Sequence, residues 1–288
     1  MTAVLQKITI FMEMIKFSHT IFALPFALSG ALLAIRGLPG ARQLLFIILA
    51  MVGARTAAMA MNRLIDADID AQNPRTATRA IPAGLLSKGA VFGAIVLSVA
   101  LLLWSAAMLN LLCLKLSPIA LGFLVLYSYC KRFTALAHIV LGICLAAAPI
   151  GAWVALTGKI ELPAIVLGLI VLFWVSAFDM LYALQDLEYD RSVGLHSIPV
   201  ALGVNGSLWL SRLFHLITVG LLVWLIVLLG LGPWFWAGSA VMAAMLLYEH
   251  WLLRGGDLTK LDAAFFTMNG YISLTFLAAT AADVFLGR

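Results

Sequence analysis

Apolar segments of membrane-crossing length recur along almost the whole chain, and that recurrence leaves few folds open to it. They fall at about 18–35, 43–61, 89–109, 112–130, 135–157, 162–182, 208–230, 233–252 and 263–286. A bilayer core needs about 20 consecutive apolar residues per helix. Backbone groups in lipid must bond within their own segment, so these runs are expected to be helices. The expectation is an all-α, polytopic membrane protein with about nine transmembrane helices. Composition agrees, because 64% of the 288 residues are hydrophobic and only 11% are charged. A soluble globular domain carries about a quarter charged residues.

Loop charge orients the chain. Eleven Lys and Arg residues fall on the side holding the N-terminus and the loops near 62–88, 131–134, 183–207 and 253–262, against five on the other. Cytoplasmic loops hold the excess of cations, which places the N-terminus in the cytoplasm of a prokaryotic plasma (inner) membrane protein. The net charge of +5 is spread over these loops and forms no basic face, so no nucleic-acid partner is expected. Cys113, Cys130 and Cys144 lie in or beside apolar runs without metal-ligand spacing, and read as small core residues. The first 20 residues lack the pattern of a removable signal and read as an amphipathic lead-in to the first span.

Against this background the acids stand out. Most occur in two clusters, both on the cytoplasmic side: Asp66, Asp68 and Asp70 after Asn62, and Asp179, Asp186, Glu188 and Asp190. Asn62, Asp66 and Asp70 recur every four residues and share one helix face. Asp186 and Asp190 repeat the step, and Asp179 lies seven residues before Asp186, on the same face again. Asp68 and Glu188 point elsewhere. An Asp at the centre of a span costs roughly 2.5–3.5 kcal/mol, so such ladders need a compensating cation. Oxygen donors without His or Cys favour a hard ion, Mg2+ before Zn2+, and Mg2+ usually combines one or two carboxylates with water and substrate phosphate. Arg75 and Arg79 follow the first cluster, Lys131 and Arg132 end the fourth span, and Arg191 follows Asp190. Guanidinium groups beside a carboxylate-bound ion make a diphosphate clamp. The bland alternative is a charged loop whose acids pair with its arginines.

The two halves echo each other. Ile81-Pro82 and Gly84 follow the first cluster, as Ile198-Pro199 and Gly203 follow the second. The chain therefore reads as a single domain, 1–288, with two pseudo-repeated halves, roughly 1–134 and 135–288. Internal repeats and acids near helix ends also suit a secondary transporter. Transporter acids usually stand singly at the midplane, however, not in two four-step ladders beside arginines.

These residues resemble the UbiA superfamily of intramembrane prenyltransferases. Asn62, Asp66 and Asp70 match its N-x-x-x-D-x-x-x-D motif. Asp179, Tyr182, Ala183, Asp186 and Asp190 match its D-x-x-Y-A element and second Asp motif, and "YSYCKRFT" and "APIGAW" resemble further family segments. The resemblance implies a helical bundle around a central cavity, in which two Mg2+ ions bridge the Asp motifs and a polyprenyl diphosphate. Asn62, Asp66, Asp70, Asp179, Asp186 and Asp190 would be the ligands. Arg75, Arg79, Lys131 and Arg132 would take up the charge of the departing diphosphate. Tyr127, Tyr129 and Tyr182 are candidates to face the allylic cation, and the cavity would open sideways to membrane lipid.

The resemblance further implies an aromatic hydroxy acid as acceptor, on the way to ubiquinone or menaquinone. In hydroxybenzoate-type members an Arg in the first span, followed by a Lys and Pro-Ile-Gly, lies near the acceptor carboxylate. Here Lys16 stands at the Arg place, His19 at the Lys place, and the Pro-Ile-Gly is absent. The acceptor is thus open between 4-hydroxybenzoate and 1,4-dihydroxy-6-naphthoate, with Lys16, His19 and Tyr182 as candidate acceptor-binding residues. Haem farnesylation and ether-lipid synthesis share the same Asp motifs. A CDP-alcohol phosphotransferase would need a D-G-x-x-A-R opening, which is missing.

Overall fold

The structure is a computed structural model that describes residues 3–16, 23–254, 261 and 267–287. Every regular element among them is helical. In chain order these are α1 (Ala3–Met14), α2 (Leu24–Ile35), α3 (Ala41–Ile65), α4 (Ala67–Gln72), α5 (Lys88–Leu109), α6 (Leu111–Cys130), α7 (Ala137–Thr157) and α8 (Leu162–Tyr182). A 3-10 turn, Ala183–Asp186, then leads to α9 (Leu187–Ser192), α10 (Ile198–Leu229), α11 (Pro233–Leu252) and α12 (Asn269–Leu286).

Each of the nine apolar segments contributes a helix, but not every one qualifies as a span among the described residues. Among the described residues seven helices are long and apolar enough to cross a membrane: α3, α5, α6, α7, α8 with its continuation to Ser192, α10 and α12. The described part of α2 has only 12 residues. The 20 residues of α11 are diluted by three Trp, Glu249 and His250. The segment expected at 208–230 belongs to a helix that begins at Ile198 and bends at Gly203, where φ is 68° and ψ −177°. Only glycine adopts that conformation readily. The downstream echo is partial: Gly84 and Gly203 both have positive φ, but Ile81-Pro82 lies in turns whereas Ile198-Pro199 opens α10.

A short signal separates α5 from α6 inside one long apolar run. Asn110 caps α6 by accepting from the Cys113 N–H, and its amide donates to the Val154 carbonyl at 2.8 Å. An N-cap side chain satisfies a backbone donor that the helix itself leaves free.

Two packing modes hold the bundle. The first is an aromatic core in which Phe26 of α2 meets Trp174 of α8 and Phe276 of α12, at ring separations of 4.9 and 4.6 Å. Trp174 is 1% exposed, and its indole N–H donates to Asn269 Oδ1 at 2.8 Å. A buried indole needs such a partner. The second is close backbone approach at small residues, the usual device where lipid gives no hydrophobic drive between helices. A Cβ at Gly142 of α7 would lie 2.6 Å from the Leu172 carbonyl oxygen of α8, so only glycine fits there. That crossing sets the neighbouring side chains of α7 and α8 against each other.

Candidate active site

A cavity of about 1100 Å³ runs between α3, α6, α7 and α8 and reaches the loops after α3, α6 and α8. Both acidic clusters face it: Asn62, Asp66, Asp70, Asp179, Asp186 and Asp190 all line its wall. Asp68 does not, and pairs with Lys88 at 3.1 Å on the exposed surface.

The first cluster is built at a break. Asp66 closes α3 through its N–H to the Asn62 carbonyl and accepts from the Asp70 N–H with its own carbonyl. The turn between helices thus preserves the four-residue step. The Asn62 amide donates to Asp66 Oδ2 at 3.1 Å and fixes that carboxylate. Asp66 and Asp70 are 2% and 3% exposed. Burial at that level requires partners, and cations from distant loops provide them. Lys131 Nζ lies 2.7 Å from Asp66 Oδ2, and Arg79 Nη1 donates to both Asp70 oxygens at 2.7 and 2.8 Å.

The second cluster is tied to the first. Arg75 Nε donates to Asp186 Oδ1 at 2.7 Å, the Asn73 amide reaches the same oxygen at 3.4 Å, and the Tyr189 hydroxyl donates to the Ile69 carbonyl at 3.3 Å. Burial alone would lower the pKa of the Arg75 guanidinium, but the hydrogen bond and charge of Asp186 hold it above its ordinary value. The Asp190 carboxylate makes no hydrogen bond or ion pair among the described residues, although its backbone carbonyl accepts from the Leu195 N–H.

Several expectations change. Arg132 does not line the cavity. Its guanidinium donates to the Ser128 and Ile65 carbonyls, each at 2.8 Å, and lies over the Tyr129 ring. It therefore fastens the end of α6 to the end of α3, where carbonyls lack helical partners, with Asp66 Oδ1 a further 3.2 Å contact. Tyr129 is 44% exposed and outside the cavity, so of the three candidate tyrosines Tyr127 and Tyr182 line its wall, where Tyr189 joins them. Asp179, expected among the metal ligands, is held by His138, whose Nδ1 lies 2.7 Å from Asp179 Oδ2.

Lys16 lines the cavity with its backbone in the left-handed region at φ 50°. His19 lies outside the described residues. Two cavity arginines were not singled out from the sequence: Arg55 sits within the apolar run 43–61, and Arg63 counted only as one of the loop cations near 62–88. Arg55 of α3 donates to the Lys16 carbonyl at 3.2 Å, which brings a guanidinium beside the candidate acceptor residue. Arg63, next to Asn62, makes no ion pair among the described residues although it faces the acids. Arg55 stands seven residues before Asn62, the same two-turn spacing that relates Asp179 to Asp186, and that period could have found it.

Among the described residues no group of three or more His, Cys, Asp or Glu side chains is gathered as a metal cage. The donor set nevertheless fits a hard cation shared with a ligand. It is all oxygen, Asp66 Oδ1 is buried with the Arg132 ion pair at 3.2 Å in place of a hydrogen bond, and the Asp190 carboxylate has no partner among the described residues.

A helical bundle with two acidic segments on one cavity invites comparison with known proteins. Residues 23–271 match the model of the UbiA prenyltransferase family. The chain belongs to that family. This UbiA prenyltransferase is 32% identical over 245 residues to a 4-hydroxybenzoate octaprenyltransferase of Idiomarina loihiensis, covering 85% of this chain and 86% of that one. A relative of the same description from Vibrio atlanticus is 32% identical over 246 residues, covering 84% and 85%. Among solved structures, an apo UbiA homolog from Aeropyrum pernix K1 superposes with a TM-score of 0.84 at 33% identity, covering 92% of this chain and 98% of that one. A UbiA homolog from Archaeoglobus fulgidus bound to DMAPP and Mg2+ shares the fold, with a TM-score of 0.76 at 20% identity over 95% and 98% of the two chains. This UbiA prenyltransferase is therefore an enzyme and an integral, multi-pass membrane protein. Family membership sets aside the transporter and CDP-alcohol phosphotransferase readings.

Proposed function

We propose that this enzyme transfers a polyprenyl group from polyprenyl diphosphate to an aromatic hydroxy acid, 4-hydroxybenzoate or 1,4-dihydroxy-6-naphthoate. The reaction belongs to ubiquinone or menaquinone synthesis, at the cytoplasmic face of a prokaryotic plasma membrane. One observation carries the reading: two acidic segments, 120 residues apart at Ile69 and Tyr189, close over one apolar cavity with three cavity-lining cations in contact with their carboxylates. The description of the Idiomarina and Vibrio relatives supports the aromatic acceptor. The DMAPP and Mg2+ in the Archaeoglobus protein support the donor and the metal.

In this reading Asn62, Asp66, Asp70, Asp186 and Asp190 hold Mg2+, which when bound supplies Lewis-acid neutralisation of the leaving diphosphate. Asp179 leaves that set because His138 engages it. Arg75, Arg79 and Lys131 pair with the acids here and exchange those partners for phosphate oxygens when the donor enters. Arg63 needs no exchange. The allylic C–O bond breaks with its electron pair going to diphosphate, a ring carbon ortho to the hydroxyl forms the new C–C bond, and the ring proton passes to the released diphosphate. Tyr127 and Tyr182 face the cationic carbon, and the apolar wall excludes the water that would quench it. Lys16 and Arg55 bind the acceptor carboxylate, Lys16 as a point charge and Arg55 through its fork.

The test is purified protein in detergent or nanodiscs, offered each acid with radiolabelled prenyl diphosphates of several lengths. Labelled prenyl acid should form with Mg2+ and vanish with excess EDTA. Turnover of neither acid, or turnover indifferent to EDTA, would overturn the reading.

A further inference from the structure

Near the end of the bundle that carries the acidic segments, α10 and α11 meet through two imidazoles: His215 Nδ1 lies 2.9 Å from His250 Nε2. Only Gly230, Leu231 and Gly232 separate the two helices, so they run antiparallel. Arg212 stands three residues before His215 and Arg254 four after His250, and both steps run from that contact toward the same end. At about 100° per residue they also turn to the same side of the helix pair, by about 60° and 40°. The same arithmetic brings Trp209 and Leu216 of α10, and Leu247 and Trp251 of α11, to that side. All four are exposed, Trp209 and Leu216 at 69% and Leu247 at 72%, so the described residues leave this groove open.

Each arginine lies over an indole face: Arg212 over Trp209 at 4.9 Å, and Arg254 over Trp251 at 4.7 Å. Stacking holds a guanidinium in place and leaves the N–H donors at its edge free. Neither arginine pairs with an acid among the described residues. Glu249 is the one acid within α10 and α11, and it is buried on the face turned away from the groove. The stretch from Arg212 to Leu229, which ends α10, is roughly 25 Å long. Arg212 thus stands near one boundary of a hydrocarbon layer about 30 Å thick, within reach of lipid headgroups.

We propose that this groove binds an anionic phospholipid of the leaflet beside the acidic segments. Arg212 and Arg254 donate to its phosphate oxygens, and Leu216 and Leu247 lie along its acyl chains. Charge selects the lipid. A guanidinium fork matches phosphate at two points, and basic pockets between membrane helices suit anionic headgroups. A zwitterionic headgroup brings an ammonium as well, and the groove offers it no carboxylate. Trp209 and Trp251 sit where indoles favour the membrane interface. None of these six residues lines the cavity, so lipid binding and prenyl transfer are separable.

The experiment titrates the purified full chain in neutral detergent with dioleoyl phosphatidylglycerol or dioleoyl phosphatidylcholine and counts bound lipid by native mass spectrometry. Wild-type protein should bind the phosphatidylglycerol about tenfold more tightly, as two interfacial cations on one anionic lipid imply. Arg212→Gln combined with Arg254→Gln should bring the two affinities within about twofold of each other and leave that for phosphatidylcholine unchanged. Lys115→Gln combined with Lys159→Gln removes the same charge from exposed positions elsewhere and should keep the preference. Arg212→Lys combined with Arg254→Lys keeps both charges without the fork; it should retain a preference of about threefold, and it remains readable if the Gln variant does not fold. Equal affinity of wild type for the two lipids overturns the inference, as does an undiminished preference in the Gln variant. Displacement of phosphatidylglycerol by millimolar inorganic phosphate overturns it too, by marking a site for free anions. So does a protein dimer that the Gln variant disperses, which would make the occupant a second copy of this chain.

Discussion

At the scale of single residues, the site shows how charge is kept in a lipid-embedded protein. Asp66, at 2% exposure, is tolerable because Lys131 lies 2.7 Å away and the Asn62 amide donates to it. Cations of one small region nevertheless do different work. Arg79 grips Asp70 inside the cavity, whereas Arg132 donates to two backbone carbonyls outside it. Arg79→Ala is therefore expected to raise KM for the prenyl diphosphate about tenfold or more, and also to lower the melting temperature because buried Asp70 loses its partner. Arg132→Ala should leave that KM nearly unchanged and cost about 1–3 kcal/mol of stability; the two effects are separated by steady-state kinetics and a thermal melt. Asp190→Ala should lower kcat by about 100-fold or more, since it removes a carboxylate proposed to hold the Mg2+ that would neutralise the leaving group. Because Asp190 is unpaired, its melting temperature should hold. Lys16→Ala should weaken acceptor use more than donor binding, and an equal loss of both would count against its role.

At the scale of elements, the four-residue ladder was legible because helical period is local: Asn62, Asp66 and Asp70 stay in step even though α3 ends at Ile65 and α4 begins at Ala67. The turn between α5 and α6 leaves a faint trace in the sequence, because its physical signal is a single polar residue in a long apolar run, Asn110, the N-cap of α6. The start of α10 was missed for a similar reason: its first turns are amphiphilic, capped by Ser197 and bent at Gly203, and they lack the apolar density of a span. Helix crossings leave a weaker trace still. Gly142 looks like any glycine in an apolar run, yet it decides how closely α7 meets α8. Gly142→Leu is expected to destabilise by about 1–3 kcal/mol through overpacking, read as a lowered melting temperature. It should also displace His138 from Asp179.

At the scale of the whole molecule, one cavity of about 1100 Å³ holds the polar end, with the acids and cations, and an apolar remainder lined by small residues of α7. Gly151 lines that remainder, and a Cβ there would meet nothing within 4 Å. Gly151→Phe should thus project into free space, fold normally, and lower kcat/KM for long prenyl donors more than for geranyl diphosphate; equal loss for all lengths would argue that the tail runs elsewhere. The amino-acid sequence by itself determined membrane embedding, helical class and two carboxylate ladders, because hydropathy and a step of four residues are local properties written along the chain. Only the tertiary structure decided which charge meets which. Asp186 finds Arg75 across 111 residues, Asp179 finds His138 across 41, and Lys16 meets Arg55 across 39. No period links such partners, since their meeting depends on how closely the helices cross, and that distance is set by packing at positions such as Gly142.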